Sequence, residues 1–240
     1  IRSFDTAPSY QTEKILGNIL TEVERDFSIK REDFNIQTKI DPWQMQEGRS
    51  RVLYHIESAL EKMGSGYFDS LLIHWPVPVF FTETWDAFVE AGKRGLTKRI
   101  GVCNVRLRQI KKFCELQKKP DLIQIECNPL RTCTPEIEYC RAYGIAVQAY
   151  SPLCKMDTRI RDSEVIKRIA DIHGKSVGQI VLRWHINKGI MPVFTSTKPM
   201  RVREYTDIFD FKLSQKEIAA ISSLNQDYKM YLESCICPGF

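Results

Sequence analysis

Four residues in the first third of the chain could do proton chemistry together: Asp5, Tyr10, Lys39 and His74. A phenol with its ordinary pKa of about 10 is a poor acid at neutral pH. A lysine ammonium beside it favours the ionised form and pulls that value down. An aspartate fixes the lysine and balances its charge. A histidine can hydrogen-bond a carbonyl oxygen. Such a set protonates a carbonyl oxygen while a separate donor delivers hydride. Taken singly, each residue has a plainer reading: Asp5 as a helix cap, Tyr10 as a rim aromatic, Lys39 as a solvated strand end, His74 as a structural histidine. Their shared position at three successive strand ends is what joins them.

The elements that must position them follow from the apolar pattern. Asp5 closes the β-type run from Ile1 to Phe4, and Pro8-Ser9 turns the chain into Tyr10 and a helix opening on Gln11-Thr12-Glu13. Lys39 lies near the end of a strand from Phe34 to Ile40. His74 follows a strand from Tyr67 to Ile73, whose Leu71-Leu72-Ile73 reads as buried on both faces, as in parallel sheets. Four further strands run from Thr97 to Val102, Asp121 to Glu126, Ile145 to Ala149 and Ile190 to Phe194. Helical stripes separate them, such as Ile15, Leu16, Ile19, Leu20 and Val23, or Val52, Ile56, Ala59, Leu60 and Met63 closed by Gly64. Strict alternation of strand and helix predicts a parallel α/β protein. No glycine-rich turn follows the first strand, which argues against an open nucleotide-binding sheet. The expected fold is a (β/α)8 TIM barrel with about seven of its eight strands present, residues 1–240 forming one partial domain. In a barrel all strand carboxyl ends share one mouth.

Bulk properties narrow the function classes. The chain has 240 residues, a net charge of +5 and 43% hydrophobic residues, and no apolar run approaches the roughly 18 residues of a membrane span. The basic pairs alternate with apolar helix positions and are not sustained, which argues against a nucleic-acid or membrane surface. Eight cysteines are too few for a disulfide scaffold at this length, so the reading is a reduced, cytoplasmic protein. Cys235-Ile236-Cys237 lacks the spacer and second half of a zinc site, and no metal is expected.

With these residues in place, the chain resembles the aldo-keto reductase family over nearly its whole length. The resemblance rests on Phe4-Asp5-Thr6-Ala7 with Tyr10 and Glu13, Gln37-Thr38-Lys39, Leu71-Leu72-Ile73-His74-Trp75-Pro76 and Gly101-Val102-Cys103-Asn104. Gln124-Ile125-Glu126-Cys127-Asn128-Pro129, Ala149-Tyr150-Ser151-Pro152-Leu153 and Pro199, Arg201 and Glu204 extend it. It implies NADPH-dependent reduction of an aldehyde or ketone, with Tyr10 as general acid, Lys39 and Asp5 tuning it and His74 orienting the carbonyl. Asn104 and Gln124 would hold the nicotinamide carboxamide and Tyr150 would stack on its ring. The remaining cofactor contacts would be Cys103, Ser151, Leu153, Ser196, Lys198, Arg201 and Glu204. Trp43 and Trp75 would line an apolar substrate pocket beside the C-terminal tail. The implied partner is a small carbonyl compound, and the implied assembly a monomer or weak homodimer.

Departures from the family pattern carry expectations of their own. Phe194-Thr195-Ser196 lacks the lysine that the family often places there, and Tyr205 stands where the family has an adenine-contacting asparagine. Arg201 and Lys198 can still pair with a phosphate, so NADPH is the expected cofactor, with NADH or dual use open. The family's N-terminal hairpin and first β/α unit have no counterpart here. That reads as a truncation or an incomplete gene model, with true loss of the unit as the alternative; either would expose a strand edge. The alternative function is a non-catalytic, cofactor-binding accessory member of the same fold.

Overall fold

In the computed structural model, residues 1–232 are described, and they fall into two compact units, 1–123 and 124–232. The boundary lies inside the fifth strand. All seven expected strands are present.

In the first unit, β1 (Ser3–Asp5), β2 (Asn35–Ile40), β3 (Ser70–Ile73) and β4 (Ile100–Cys103) are parallel and lie in sequence order. The register sets Asp5 against Gln37, Lys39 against Leu72, and Ile40 against Ile73. Strand residues alternate sides. Lys39 therefore points away from Thr38, whose hydroxyl donates to Glu13 at 2.7 Å on the helix side. The helices are α1 (Glu13–Phe27), the one-turn α2 (Pro42–Met45), α3 (Arg49–Met63), α4 (Phe81–Lys93) and α5 (Leu107–Cys114). Gly64 closes α3 in the left-handed conformation at φ 61°. The buried faces of α3 and α4 (Val52, Ile56, Leu60; Trp85, Phe88) follow the apolar stripes of the sequence. Gly101 serves close packing: a Cβ there would meet the Leu122 carbonyl oxygen at 2.4 Å.

The second unit holds most of β5 (Leu122–Glu126), then α6 (Thr134–Ala142), β6 (Ala146–Tyr150), α7 (Thr158–Arg161), α8 (Glu164–His173), α9 (Val177–Asn187), β7 (Ile190–Val193), α10 (Pro199–Thr206) and α11 (Gln215–Ser222). Strands β6 and β7 are parallel, with Val147 against Ile190. Helices α8, α9 and α11 start on serine caps, Ser163, Ser176 and Ser214, and the last two carry capping boxes with Gln179 and Glu217. Tyr205 is buried, edge-on to Phe194, and its ring occupies the space a side chain at Gly178 would need. It is a packing residue.

His185 of α9 is fully buried, with Nδ1 2.8 Å from the Val181 carbonyl and Nε2 3.0 Å from that of Cys127. Burial outweighs these contacts and pushes the imidazole down to about 4. In an unfolded chain it titrates near 6.5. Between the two values the unfolded state binds more protons. The stability this group contributes is therefore complete above about pH 6.5 and lost as pH falls towards 4, by up to roughly 3 kcal/mol. Urea midpoints measured from pH 7 to pH 4.5 should fall accordingly, and His185→Gln should flatten the slope. An unchanged slope in that variant would contradict the assignment.

No helix among the described residues is long and apolar enough to cross a membrane. Among them there is also no group of three or more His, Cys, Asp or Glu able to hold a metal ion. Cys235 and Cys237, and most of the C-terminal tail, lie outside the described residues.

Candidate active site

The four residues expected to cooperate converge at the carboxyl ends of β1, β2 and β3. Lys39 Nζ donates to Asp5 Oδ2 at 2.7 Å and to the Thr6 carbonyl at 3.0 Å. The lysine side chain is wholly buried. Burial alone would lower its pKa, but the charge of Asp5 and the hydrogen bond to it outweigh burial and raise it. The ammonium therefore stays charged at neutral pH. Gln37, opposite Asp5 in the register, donates from Nε2 to Asp5 Oδ1 at 2.6 Å.

Tyr10 ends a single 3-10 turn, Pro8–Tyr10, stopped by Gln11 in the left-handed conformation. The turn swings the ring over Lys39, whose Nζ lies 4.8 Å from the ring centroid. The hydroxyl lies 3.4 Å from His74 Nε2, and the two rings meet edge-on at 5.6 Å. Lys39 lowers the phenol pKa, as the residue types require, but it is not the largest influence. Partial burial raises the value more, and the net position is above that of an ordinary tyrosine. Tyr10 remains 45% exposed, so its hydroxyl is accessible. The result is a protonated phenol held against an ammonium.

His74 follows β3 and is largely buried, its side chain 14% exposed. Asn104 Nδ2 donates to the His74 carbonyl at 2.8 Å, and Asn104 itself has φ 58°. On its other side, His74 Nδ1 lies 2.5 Å from Asp41 Oδ1. Asp41 did not emerge from the amino-acid pattern. It follows Lys39 by two residues at the same strand end, and an acid at that position before Pro42 was the available signal. Its Oδ2 accepts the Ser9 amide at 2.8 Å, and Ser9 Oγ donates to Oδ1 at 3.3 Å. Burial would raise this carboxyl, but the hydrogen bonds from His74 and Ser9 hold it below the ordinary carboxylate range.

Other expected site residues are placed as follows. Cys103 is buried in an apolar cluster with Leu72 and Leu122, and burial pushes its thiol up. It also lies close enough to Lys39 and Tyr10 to act on both electrostatically. Trp43, on α2, is 53% exposed and edge-on to His55 at 5.2 Å. It lines a cavity of about 300 Å3 with Pro8, Gln11, Lys39 and Lys62, whose walls include neither Tyr10 nor His74. Trp75 is half-buried.

In the second unit, Gln124 and Gln148 are buried, and Gln124 Nε2 donates to Gln148 Oε1 at 2.9 Å. Tyr150 at the end of β6 meets Tyr231 edge-on at 5.7 Å. Glu126 pins that part of the chain, accepting the amides of Met230 at 2.8 Å and Tyr231 at 3.1 Å. Ser151 adopts φ 47°, and Leu153 packs against Leu182, Tyr205 and Ile208. Lys198, Ser196 and Arg201 cluster at the start of α10, with Pro199 in its first turn. The Ser196 hydroxyl accepts the Lys198 amide at 3.1 Å. Lys198 and Arg201 are exposed, and neither forms an ion pair among the described residues. Glu204 Oε1 takes the Ser176 hydroxyl, which ties α10 to the start of α9.

Comparison with known proteins accords with this geometry. The sequence model of the aldo/keto reductase family matches residues 1–226. A glyoxal reductase of Bacillus subtilis (strain 168) is 35% identical over 230 residues, covering 95% of this chain and 80% of the relative. Methylglyoxal reductase DkgA of Escherichia coli (strain K12) is 33% identical over 232 residues, covering 95% and 82%. The crystal structure of the Bombyx mori aldo-keto reductase AKR2E4 in complex with NADP superposes with a TM-score of 0.88 at 33% identity, covering 95% of this chain and 80% of that one. The chain belongs to the aldo/keto reductase family. It is an oxidoreductase with the α/β barrel fold of that family, and its described residues include seven strands.

Proposed function

We propose that this chain reduces an aldehyde or ketone to an alcohol with NADPH, and that its substrates are small dicarbonyl compounds of the glyoxal and methylglyoxal type. The substrate class is supported by the names of the relatives, a glyoxal reductase and a methylglyoxal reductase. The observation that carries the reading is the Tyr10 hydroxyl held between a buried, charged Lys39 and His74 Nε2.

The donor set fits the cofactor. Lys198 and Arg201 at the positive end of α10 are cations without a partner ion among the described residues, which suits a phosphate. In the first unit, Cys103 and Asn104 are our candidate cofactor contacts; in the second, the candidates are Gln124, Tyr150, Ser151, Leu153, Ser196 and Glu204. Bound NADPH would supply the hydride. Tyr10 gives its proton to the carbonyl oxygen, and Lys39, balanced by Asp5, stabilises the phenolate that remains. His74 orients the carbonyl, and Trp75, with Trp43 at the rim, presents apolar surface to the rest of the substrate.

We read the two units as one domain, since one family model spans both. We place the protein in a reducing, cytoplasmic setting, acting as a monomer or weak dimer. The described cysteines are all free thiols. Turnover is tested by loss of NADPH absorbance with methylglyoxal. Arg201→Ala should raise KM for NADPH about tenfold, from loss of one charge-assisted contact, and leave KM for NADH unchanged. Equal effects on both cofactors would overturn the phosphate role of Arg201.

A further inference from the structure

We propose that Asp41 is a positioning residue for His74: it fixes the proton on Nδ1, aims Nε2 at Tyr10 and the substrate oxygen, and balances the ring when Nε2 is also protonated. The proposal rests on the carbonyl-reduction reading for its kinetic consequence, and on geometry alone for its structural one.

Asp41 caps the one-turn helix α2, a position where an aspartate commonly serves only the helix. Here its carboxylate reaches two other strand ends. One oxygen accepts the Ser9 amide in the turn that carries Tyr10, and the other lies 2.5 Å from His74 Nδ1. An ionised carboxylate is an acceptor only, and Asp41 is held ionised, so the proton in that contact belongs to Nδ1. The fixed proton of His74 thus points away from the chemistry. Nε2 is left facing the Tyr10 hydroxyl at 3.4 Å. A neutral ring can only accept there. A second proton makes Nε2 a donor to the substrate oxygen, and the Asp41 carboxylate offsets the resulting charge where both side chains are largely buried. The charged and titratable groups around His74 are Asp41, Tyr10 and, behind Tyr10, Lys39 and Asp5; Asn104 adds a neutral amide. One side chain therefore ties the acid-bearing turn to the carbonyl-orienting histidine and sets the tautomer of the latter.

Asp41→Asn tests this with little change of shape. The asparagine carbonyl would take the Ser9 amide, and its NH2 would then face Nδ1 and drive the ring proton to Nε2. In 15N spectra of histidine-labelled full-length protein, assigned by His74→Gln, the wild type should show the Nδ1–H form and Asp41→Asn the Nε2–H form. With methylglyoxal, kcat/KM should fall about 10- to 100-fold while the Kd for NADPH moves less than about twofold. In a His74→Gln background, Asp41→Asn should change kcat/KM by less than about twofold, because Asp41 acts through His74. An unchanged tautomer in Asp41→Asn, or losses that multiply in the double variant, would overturn the proposal. The spectra decide the role of Asp41 even if the wild type fails to turn over, an outcome that would instead remove the carbonyl-reduction reading.

Discussion

Tyr10→Phe is expected to lower kcat/KM for carbonyl reduction by about 10²- to 10⁴-fold, the range for loss of a positioned general acid. The phenol is the one proton donor in the cluster that is both exposed and aimed at a histidine nitrogen. Its raised pKa keeps it protonated through the physiological range, so the proton is present when hydride arrives. In the proposed mechanism, the adjacent ammonium favours ionisation of the phenol as the alkoxide forms, and the proton moves to oxygen. Phenylalanine keeps the ring over Lys39 and removes only the hydroxyl, so folding and cofactor binding should change little. Steady-state kinetics with methylglyoxal, alongside the thermal midpoint, separate the two effects. Turnover within threefold of the wild type would remove Tyr10 from the mechanism.

Lys39→Met is expected to act on stability and activity together. The lysine side chain is wholly buried, and its partner Asp5 is nearly so, at 15% exposed. Removing the cation breaks this buried ion pair, while Asp5 keeps the Gln37 hydrogen bond. The loss should be about 3 kcal/mol, at the lower end for a broken buried pair because Asp5 retains some solvent. Activity should fall about 10²-fold or more, since the phenolate loses its stabilising charge. Asp5→Asn with Lys39→Met should recover most of the stability and none of the activity. Denaturant midpoints and kcat/KM on the wild type and the two variants check this. Recovery of activity in the double variant would show that the ion pair serves folding alone.

Much of this was legible in the chain before the structure. The seven strands and their order follow from apolar runs such as Leu71-Leu72-Ile73 and from glycine stops such as Gly64 and Gly144, both at positive φ. Asp5, Tyr10, Lys39 and His74 were legible because each closes or follows a strand, and strand ends of this fold class gather at one face. Asp41 was not, because an aspartate before a proline carries an ordinary helix-cap reading. Only the turn of β2 into α2 brings its carboxylate to His74. The balance of influences on Tyr10 was also hidden: residue types show the lysine, but burial comes only from packing. Tyr205 stands where the family has an adenine-contacting asparagine, and the structure buries it as a packing residue. Sequence position marks a place in the barrel, whereas the direction of a side chain depends on its neighbours.

Hydride transfer by this chain can be followed with NADPH deuterated at the transferable nicotinamide position and methylglyoxal as acceptor. Mass spectrometry of the product should show an alcohol with one deuterium on the former carbonyl carbon, formed in step with cofactor oxidation and strongly reduced in Tyr10→Phe. A folded protein that binds NADPH yet forms no labelled alcohol would show that the Asp5–Lys39–Tyr10–His74 cluster does not reduce carbonyls in this chain.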